Sequence, residues 1–454
     1  MPAGEPRAAA GFPADFLWGA ATSAYQIEGS PLADGAAPSN WHRFLHTPGR
    51  SVTGDTGDVA CDHYRRSDDD VELMGRLGLR AYRFSLAWSR ILPAGRGRVN
   101  PAGIDFYSRL VDSLLERGIL PCATLYHWDH PAELDYAGGW AGPEMPERFA
   151  EYARAVFRAL GDRVPMWATL NEPWVVTHAG YVAGVHPPGR QNPREALMAS
   201  RNLLRGHGLA VKAYRAEAKQ RIGLVVNLEP KVPASDDAAD VAAAARADAY
   251  MNRQYLDPVF HGRYPDALPA IFGEAWTDEA NEGLADAGEP IDFLGINYYT
   301  RGIARHDDTV VPDRAAPVRN EGALYTETGW EVHPQTLTDV LRRVKRDWGD
   351  IPLYVTENGA AFPDPPRAAG GTVADPLRVD YLRAHLRAAR AAIEHGVDLR
   401  GYFVWSLMDN CEWAQGYSKR FGIVHVDFET QVRTLKASAR FYRDVIGSGG
   451  GALG

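Results

Sequence analysis

Two glutamates stand directly after stretches with strand character, at positions where a carboxylate could do chemistry. Glu172 lies in TLNEPW, after the apolar run 164–170, and Glu357 lies in TENG, after the apolar run 353–356. Asparagine and proline often simply end a strand, because proline cannot donate to a ladder and asparagine tolerates turns. One carboxylate at a strand end is therefore weak evidence, whereas two from opposed strands of one sheet are much stronger.

Opposed carboxylates indicate hydrolysis of a glycosidic bond. The leaving oxygen needs a proton and the anomeric carbon needs electron donation, so one acid must be neutral while the other is ionised. Repulsion between two close carboxylates separates their pKa values and supplies this asymmetry. Nearby tryptophans offer flat apolar faces for sugar rings, and Asn, Gln and His side chains offer directional hydrogen bonds to hydroxyls.

Eight apolar runs with strand character would have to position these groups. They occupy residues 16–21, 79–86, 120–125, 164–170, 222–228, 291–298, 353–356 and 399–407. Helical patterns lie between them, for example after Asn100 and Pro101, which are typical of a helix start. Alternating strands and helices predict parallel strands joined by crossovers, and eight units predict an α/β fold, a single (β/α)8 TIM barrel with elaborated βα-loops.

A doubly wound open sheet is the alternative fold. Such a sheet usually carries a glycine-rich phosphate turn after its first strand, and TSAYQIEG, which follows here, has no G-x-G-x-x-G pattern. We expect a flexible N-terminal segment at 1–12, the catalytic barrel at 13–446 and a flexible Gly-rich tail at 447–454. The polar, proline-punctuated stretch 303–328 is predicted to be a surface loop over the barrel mouth.

Composition excludes several classes of function. The net charge of −9 provides no basic surface for nucleic acid or an anionic membrane. Three widely spaced cysteines do not make a disulfide framework, which favours a reducing compartment. We see no signal peptide or membrane span and therefore expect a cytoplasmic protein. The oligomeric state is not predicted.

Two acidic stretches could be mistaken for metal sites. Asp62 and His63 are adjacent, which is poor chelating geometry, and no H-E-x-x-H or C-x-x-C pattern occurs. We interpret them as packing and hydrogen-bonding residues. The run 67–70, SDDD, is interpreted as an N-cap followed by acids in the first turn of a helix. No metal and no cofactor are expected.

At these motifs the sequence resembles the family 1 glycoside hydrolases, the β-glucosidase family. The matching stretches appear in family order over about residues 12 to 445, and include FLWGAATSAYQIEG, TLYHWDHP, TLNEPW, GINYYT, YVTENGA and MDNCEWAQGYSKRFGIVHVDFET. The resemblance implies a barrel that hydrolyses terminal β-D-glucosyl residues with retention, through a covalent glycosyl-enzyme. The substrate would be a small β-glycoside or short oligosaccharide.

The resemblance also implies a role for each matching side chain. Glu172 matches the acid/base and Glu357 the nucleophile. Residues that match those holding the non-reducing sugar are Gln26, His127, Asn171, Glu412 and Trp413, with Trp405 as a platform under its ring. Those near the nucleophile or the outer side are Tyr299 and Arg83, which would hydrogen-bond the nucleophile, Asn297 beside them, and Trp330 on the aglycone side.

Two other readings remain open. A 6-phospho-β-glycosidase shares the fold and both glutamates. Glu412 argues against this function, because its charge would repel the 6-phosphate. The run 418–420, SKR, is the feature that leaves this function open. A non-catalytic sugar-binding barrel is disfavoured by two intact glutamates. Departures from the family pattern at His130–Ala132, Cys411 and Gln415 leave the leaving-group preference open.

Overall fold

Eight parallel strands form a closed barrel in the computed structural model, which describes residues 11–365 and 371–453. The strands, in chain order, are β1 Leu17–Ala21, β2 Ala81–Ser85, β3 Leu120–Tyr126, β4 Met166–Asn171, β5 Arg221–Asn227, β6 Phe293–Asn297, β7 Leu353–Asn358 and β8 Leu399–Trp405. Each pairs with its neighbours in sequence, and β8 closes the barrel on β1. The predicted (β/α)8 barrel is confirmed. The predicted N-terminal segment 1–12 lies almost entirely outside the described residues.

Burial on both faces accounts for the near-continuous apolar runs. Every residue of β2, β4, β6 and β7 is buried. Parallel strands covered on both faces read as unbroken apolar stretches rather than alternating ones. Side chains from several strands fill the barrel interior, among them Cys122, Met166, Phe293, Tyr354 and Phe403. The barrel is thus a packed core that leaves only its rim for a site.

One principal helix follows each strand and returns the chain to the next. These helices are His63–Arg76, Pro101–Glu116, Met145–Leu160, Pro193–Glu217, Gln254–His261, Gln335–Trp348, Pro376–Glu394 and Ala437–Gly447. Further helices precede the principal ones in the βα-loops, namely Ala24–Ile27, Asn40–Leu45, Trp88–Ile91, Pro173–Thr177 and Ala238–Asp248, and Leu268–Phe272 follows the fifth principal helix. Asn100 and Pro101 do start a helix, although the Asn100 amide donates to the carbonyls of Asp34 and Arg90 rather than capping it.

The prediction of a loop throughout 303–328 is wrong. Strands Gly302–His306 and Ala315–Pro317 pair with each other, and Lys231–Pro233 completes a three-stranded sheet. The partner strand lies about seventy residues earlier in the chain, so local sequence carries no sign of the pairing. A second small sheet joins Val424–Val426 to Arg433–Leu435.

The interpretation of 67–70 as a helix start is confirmed in part. Helical structure begins earlier, at His63 with Asp62 as N-cap, but the backbone departs from helical geometry at Arg66 (φ −117°, ψ 17°), so residues 67–70 open the segment that follows this kink. Asp70 is buried, and its carboxylate lies 2.8 Å from His63 Nδ1 and accepts from Arg433. Asp62 pairs with Arg65 and Arg66 on the surface side. Asp62 and His63 therefore serve packing and hydrogen bonding, as predicted.

The glycine-rich end of the chain is packed rather than free. Gly451–Leu453 form a helical turn, and the Leu453 side chain is buried against the core. The Leu453 carbonyl accepts from the Arg387 guanidinium on helix Pro376–Glu394. One apolar residue and one carbonyl of the predicted tail therefore have partners that the composition does not reveal, and the flexibility of the tail stays a prediction. Within residues 11–365 and 371–453, no helix is long and apolar enough to cross a membrane.

Candidate active site

The end of β4 places Glu172 at the barrel rim. Asn171 closes the strand, Glu172 takes a left-handed backbone conformation with φ 48°, and Pro173 opens helix Pro173–Thr177. Proline suits the first turn of a helix, because its missing N–H would have no partner there. The sequence TLNEPW thus ends a strand, turns sharply and starts a helix, with the glutamate at the turn.

Glu357 lies within β7 itself, near the end of the strand. The register of β7 shifts after Val355 against both neighbouring strands. Irregularities of this kind re-aim side chains near the rims of barrels. The result is a Glu357 carboxylate that is almost fully buried.

Two strong donors hold the Glu357 carboxylate. Arg83 Nη1 donates to Oε1 at 2.6 Å, and the Tyr299 hydroxyl donates to Oε2 at 2.6 Å. Burial raises the pKa of Glu357, and the Arg83 charge and the Tyr299 hydrogen bond oppose that rise. Hydrogen bonds to the charged form favour it, so these contacts stabilise Glu357 as an ionised group.

Glu172 has the opposite environment. Its Oε1 accepts one hydrogen bond, from Asn297 Nδ2 at 2.6 Å, and it forms no ion pair among the described residues. Burial and then the charge of Glu357 raise the pKa of Glu172 to about 8. The contacts of Glu357 thus favour its charged form, whereas the surroundings of Glu172 favour its neutral form, which is the asymmetry that glycoside chemistry requires.

A network of amides connects the two glutamates. The Asn171 Oδ1 atom accepts from Arg83 Nη2 at 2.7 Å and from Asn297 Nδ2 at 3.0 Å. The Asn171 amide lies 3.1 Å from His127 Nε2. Thr356 donates to Asn297 Oδ1 at 2.7 Å and fixes the orientation of that amide. Each polar group in this network limits the rotamers of its neighbour.

A third carboxylate, that of Glu412, lines the same cavity as Glu172. Glu412 Oε2 accepts from Gln26 Nε2 at 3.1 Å, and the same amide donates to Asn410 Oδ1 at 3.0 Å. Ser23 donates to Gln26 Oε1 at 2.7 Å, so the amide group is held from both ends. Burial raises the pKa of Glu412 to about 8, and the charge of Glu357 adds to the rise. The free carboxylate oxygen of Glu412 can accept from hydroxyls of a bound molecule.

Aromatic rings line the walls of the site. Trp405 stacks on His127 with centroids 5.7 Å apart, and Trp413 packs against Trp128 at 4.8 Å. On the opposite side, Trp330 packs against Tyr299 at 4.8 Å. Such flat apolar surfaces match the C–H faces of sugar rings.

These groups surround one cavity of about 720 Å³, a size usual for small-molecule sites. Six predicted residues line it, namely Glu172, Asn297, Tyr299, Trp330, Glu412 and Trp413. The other six touch those residues or each other through hydrogen bonds or ring contacts, namely Gln26, Arg83, His127, Asn171, Glu357 and Trp405. The structure therefore brings all twelve together.

Sequence reasoning missed several residues of the site. Trp174 lines the cavity and lies two positions after Glu172, inside the motif itself, so its signal was present. Asn410 accepts a hydrogen bond from the Gln26 amide and lies in the motif MDNCEW, so its signal was present as well. His186, Met251 and Glu327 also line the cavity. His186 and Glu327 lie in irregular loop segments and Met251 lies in a helical turn, where no strand end marks them.

The glutamates have no metal-ligand cluster beside them within the described part of the chain. The single group of three potential ligands found there is His42, His46 and Asp58. None of the three lines the cavity. The site consists of carboxylates, amides, one guanidinium and aromatic rings, a set suited to acid–base and nucleophilic chemistry on a neutral polyhydroxylated substrate.

Comparison with known proteins gives consistent matches. The pattern of the family described as Glycosyl hydrolase family 1 matches residues 8–450. Beta-glucosidase A of Thermotoga maritima is 48% identical over 443 residues, which cover 97% of this chain and 98% of that protein. A bifunctional beta-D-glucosidase/beta-D-fucosidase of Bifidobacterium breve is 44% identical, covering 96% and 98%. The solved family 1 β-glucosidase from Thermotoga maritima superposes with a TM-score of 0.95 at 47% identity, covering 97% of this chain and 99% of that one.

Proposed function

We propose that this chain, which belongs to glycosyl hydrolase family 1, is a retaining β-glucosidase whose reaction is carried by Glu172 and Glu357. As an O-glycosyl hydrolase, it releases terminal non-reducing β-D-glucosyl residues from small glycosides or short oligosaccharides. The observation that carries the assignment of roles is the unequal surroundings of the two buried glutamates. Glu357 accepts from a guanidinium and a phenol, whereas Glu172 accepts only from an amide.

The first half of the reaction requires an ionised Glu357 and a protonated Glu172. The ionised Glu357 carboxylate attacks the anomeric carbon and forms a covalent glycosyl-enzyme ester, while the Glu172 carboxyl gives its proton to the departing oxygen. Once Glu357 is esterified, its charge is gone, and the pKa of Glu172 falls because the repulsion that raised it has been removed. Glu172 is then suited to act as a base.

The second half reverses these roles. The Glu172 carboxylate takes a proton from water, the water oxygen attacks the anomeric carbon, and the Glu357 ester bond breaks. Two inversions give net retention, so β-glucose is the first product. This mechanism requires carboxyl groups roughly 5–5.5 Å apart.

Recognition of the terminal sugar is assigned to the third carboxylate and its surroundings. Glu412, held by Gln26, would accept from the 4- and 6-hydroxyls, and charge-assisted bonds of this kind are the strong ones. His127 and Asn171 would bind further hydroxyls, over the Trp405 ring. A carboxylate can accept from either orientation of the 4-hydroxyl, so some activity on β-galactosides or β-fucosides is expected. The bifunctional relative with 44% identity supports this expectation.

A 6-phospho-β-glycosidase is the second candidate. Lys419 lines the cavity and could attract a phosphate. Glu412 lies in the same cavity, and in its ionised form, which the hydroxyl donors of a bound sugar favour, it would repel a phosphate at the 6-position. The unphosphorylated substrate is therefore the stronger proposal.

A cytoplasmic location remains part of the proposal, supported by three buried, unpaired cysteines.

Hydrolysis of a chromogenic β-glucoside, with and without a 6-phosphate, tests the function directly. Proton NMR of the early time course identifies the first anomer released. We expect turnover of the plain glucoside and initial release of the β-anomer. Preference for the phosphorylated substrate would favour the second candidate, and initial release of the α-anomer would contradict the retaining mechanism.

A further inference from the structure

Two histidines and an aspartate converge at the surface away from the glutamates. His42 lies on helix Asn40–Leu45, and His46 is the C-cap of the same helix, one turn later. Asp58 comes from the loop that precedes helix His63–Arg76. Potential ligand atoms of all three residues lie within 4.8 Å of one another.

The hydrogen bonding of His46 fixes which ring nitrogen is free. His46 Nδ1 lies 2.6 Å from the His42 carbonyl oxygen, and a carbonyl can only accept, so Nδ1 carries the hydrogen. In the neutral ring Nε2 then holds a lone pair. Nε2 lies 3.1 Å from Asp58 Oδ2, which can also only accept. Either a proton or a metal ion on Nε2 must therefore lie between the ring and the carboxylate.

His42 also has a ring nitrogen that faces the Asp58 carboxylate. Its Nδ1 lies 3.4 Å from Asp58 Oδ1, yet this nitrogen is buried and has no hydrogen-bond partner. An unpaired buried polar atom is costly, and native structures usually provide it with a partner. One cation at the centre of the three groups would satisfy both imidazoles and the carboxylate together.

We propose that His42, His46 and Asp58 bind a divalent transition-metal ion of the zinc class. In a tetrahedral site with metal–nitrogen bonds of roughly 2.0–2.1 Å, neighbouring ligand atoms lie roughly 3.3 Å apart. His46 Nε2 lies 3.1 Å from Asp58 Oδ2 and His42 Nδ1 lies 3.4 Å from Asp58 Oδ1, so each imidazole nitrogen is close to that separation from one carboxylate oxygen. Imidazole nitrogen and carboxylate oxygen are the ligands that zinc accepts, and a ring N–H held by a carbonyl is the usual support for a ligating histidine.

Water can supply the fourth ligand. The side chains of His46 and Asp58 are 41% and 44% exposed, so solvent reaches the open side of the group. Hard oxygen-binding ions such as Mg²⁺ or Ca²⁺ fit poorly, because two of the three ligands are imidazoles.

The ion would brace one wall of the sugar cavity. Trp41 precedes His42 and packs against Trp413 with centroids 4.4 Å apart. Gly57 precedes Asp58, and its N–H donates to the Tyr25 hydroxyl at 3.4 Å. The Tyr25 ring stacks on Trp413 at 6.2 Å. A metal at the site would therefore join two segments that both support Trp413.

Zinc titration of the untagged, metal-stripped full chain tests the proposal. Isothermal calorimetry near neutral pH should give one high-affinity ion per chain. His46→Asn and Asp58→Asn should each weaken binding at least ~100-fold, since losing even an outer partner of a ligating histidine typically costs roughly 10- to 100-fold. Zinc should also raise the thermal midpoint of the wild type and not that of the variants.

His395→Asn is the matched control. His395 is also a helix C-cap, and its Nδ1 lies 2.6 Å from the Ala391 carbonyl, but it belongs to no three-ligand group among the described residues. This variant should keep wild-type zinc affinity. The alternative is a simple imidazolium–carboxylate pair, which needs no metal. Absence of high-affinity zinc binding in the wild type, or equal affinity in wild type and His46→Asn, would overturn the proposal.

Discussion

Replacing Tyr299 by phenylalanine removes one hydrogen bond from Glu357 while keeping the aromatic ring. The Tyr299 hydroxyl donates to Glu357 Oε2 at 2.6 Å, and its ring still packs against Trp330 in the variant. Burial, with the charge of Glu357, keeps the pKa of Tyr299 well above its ordinary value, so the phenol stays a donor throughout the working range. Only the hydrogen bond to the nucleophile is lost.

The size of the effect follows from the strength of such bonds. A hydrogen bond to a charged group is worth roughly 1.5–3 kcal/mol, and 1.36 kcal/mol corresponds to about one pKa unit. The bond stabilises the ionised form, so its loss raises the pKa of Glu357 by about 1–2 units. The acidic limb of the kcat/KM profile, which reports the free enzyme, should move upward by the same amount. Below both pKa values, kcat/KM should fall roughly 10- to 100-fold.

The assay is a full pH profile of kcat/KM with one chromogenic β-glucoside. The basic limb, governed by Glu172, should move far less than the acidic limb. The bell-shaped pH profile of kcat/KM should therefore become narrower on its acidic side. Tyr298→Phe is the control: its hydroxyl donates to the His333 carbonyl at 2.6 Å, so the same atom is removed without touching Glu357. An acidic limb at the wild-type position in Tyr299→Phe would refute the assignment of Tyr299 as a donor to the nucleophile.

Three further substitutions test the remaining roles. Glu357→Ala should abolish turnover, and azide should partly restore it with an α-glycosyl azide as product. Glu172→Ala should spare activated leaving groups far more than poor ones, and azide should give the β-azide; the same anomer from both variants would contradict the roles. Glu412→Ser should lower kcat/KM for the plain glucoside roughly 10- to 1,000-fold, the scale of one or two charge-assisted bonds, and raise the ratio of phosphorylated to plain turnover. An unchanged ratio would remove Glu412 as the selector.

The barrel and the central site could be predicted because their signals are local. A strand buried on both faces is a short apolar run, and a polar residue at or just beyond its carboxyl end must lie on the rim, as Asn297 and Glu172 do. The resemblance to family 1 added the roles of residues such as Gln26, whose contact with Glu412 joins opposite ends of the chain.

Features that depend on distant partners could not be predicted in this way. Nothing near Asp70 in the sequence shows that its carboxylate is buried and paired with Arg433, from the other end of the chain. The strand Gly302–His306 forms because Lys231–Pro233 offers it an edge. Leu453 looks like part of a free tail until its burial against the core is known. In each case the deciding contact lies far away in sequence, where composition and periodicity carry no information.

The backbone at Glu172 has a consequence for engineering. A left-handed conformation costs a residue with a side chain on the order of 1 kcal/mol or more, and glycine largely avoids that cost. The amino acid best suited to the turn is thus not the one that protonates the leaving group. A library ranked only by heat resistance would have no reason to keep glutamate at this position and could enrich folded, inactive chains. Thermostable variants of this enzyme are best selected with turnover measured in every round.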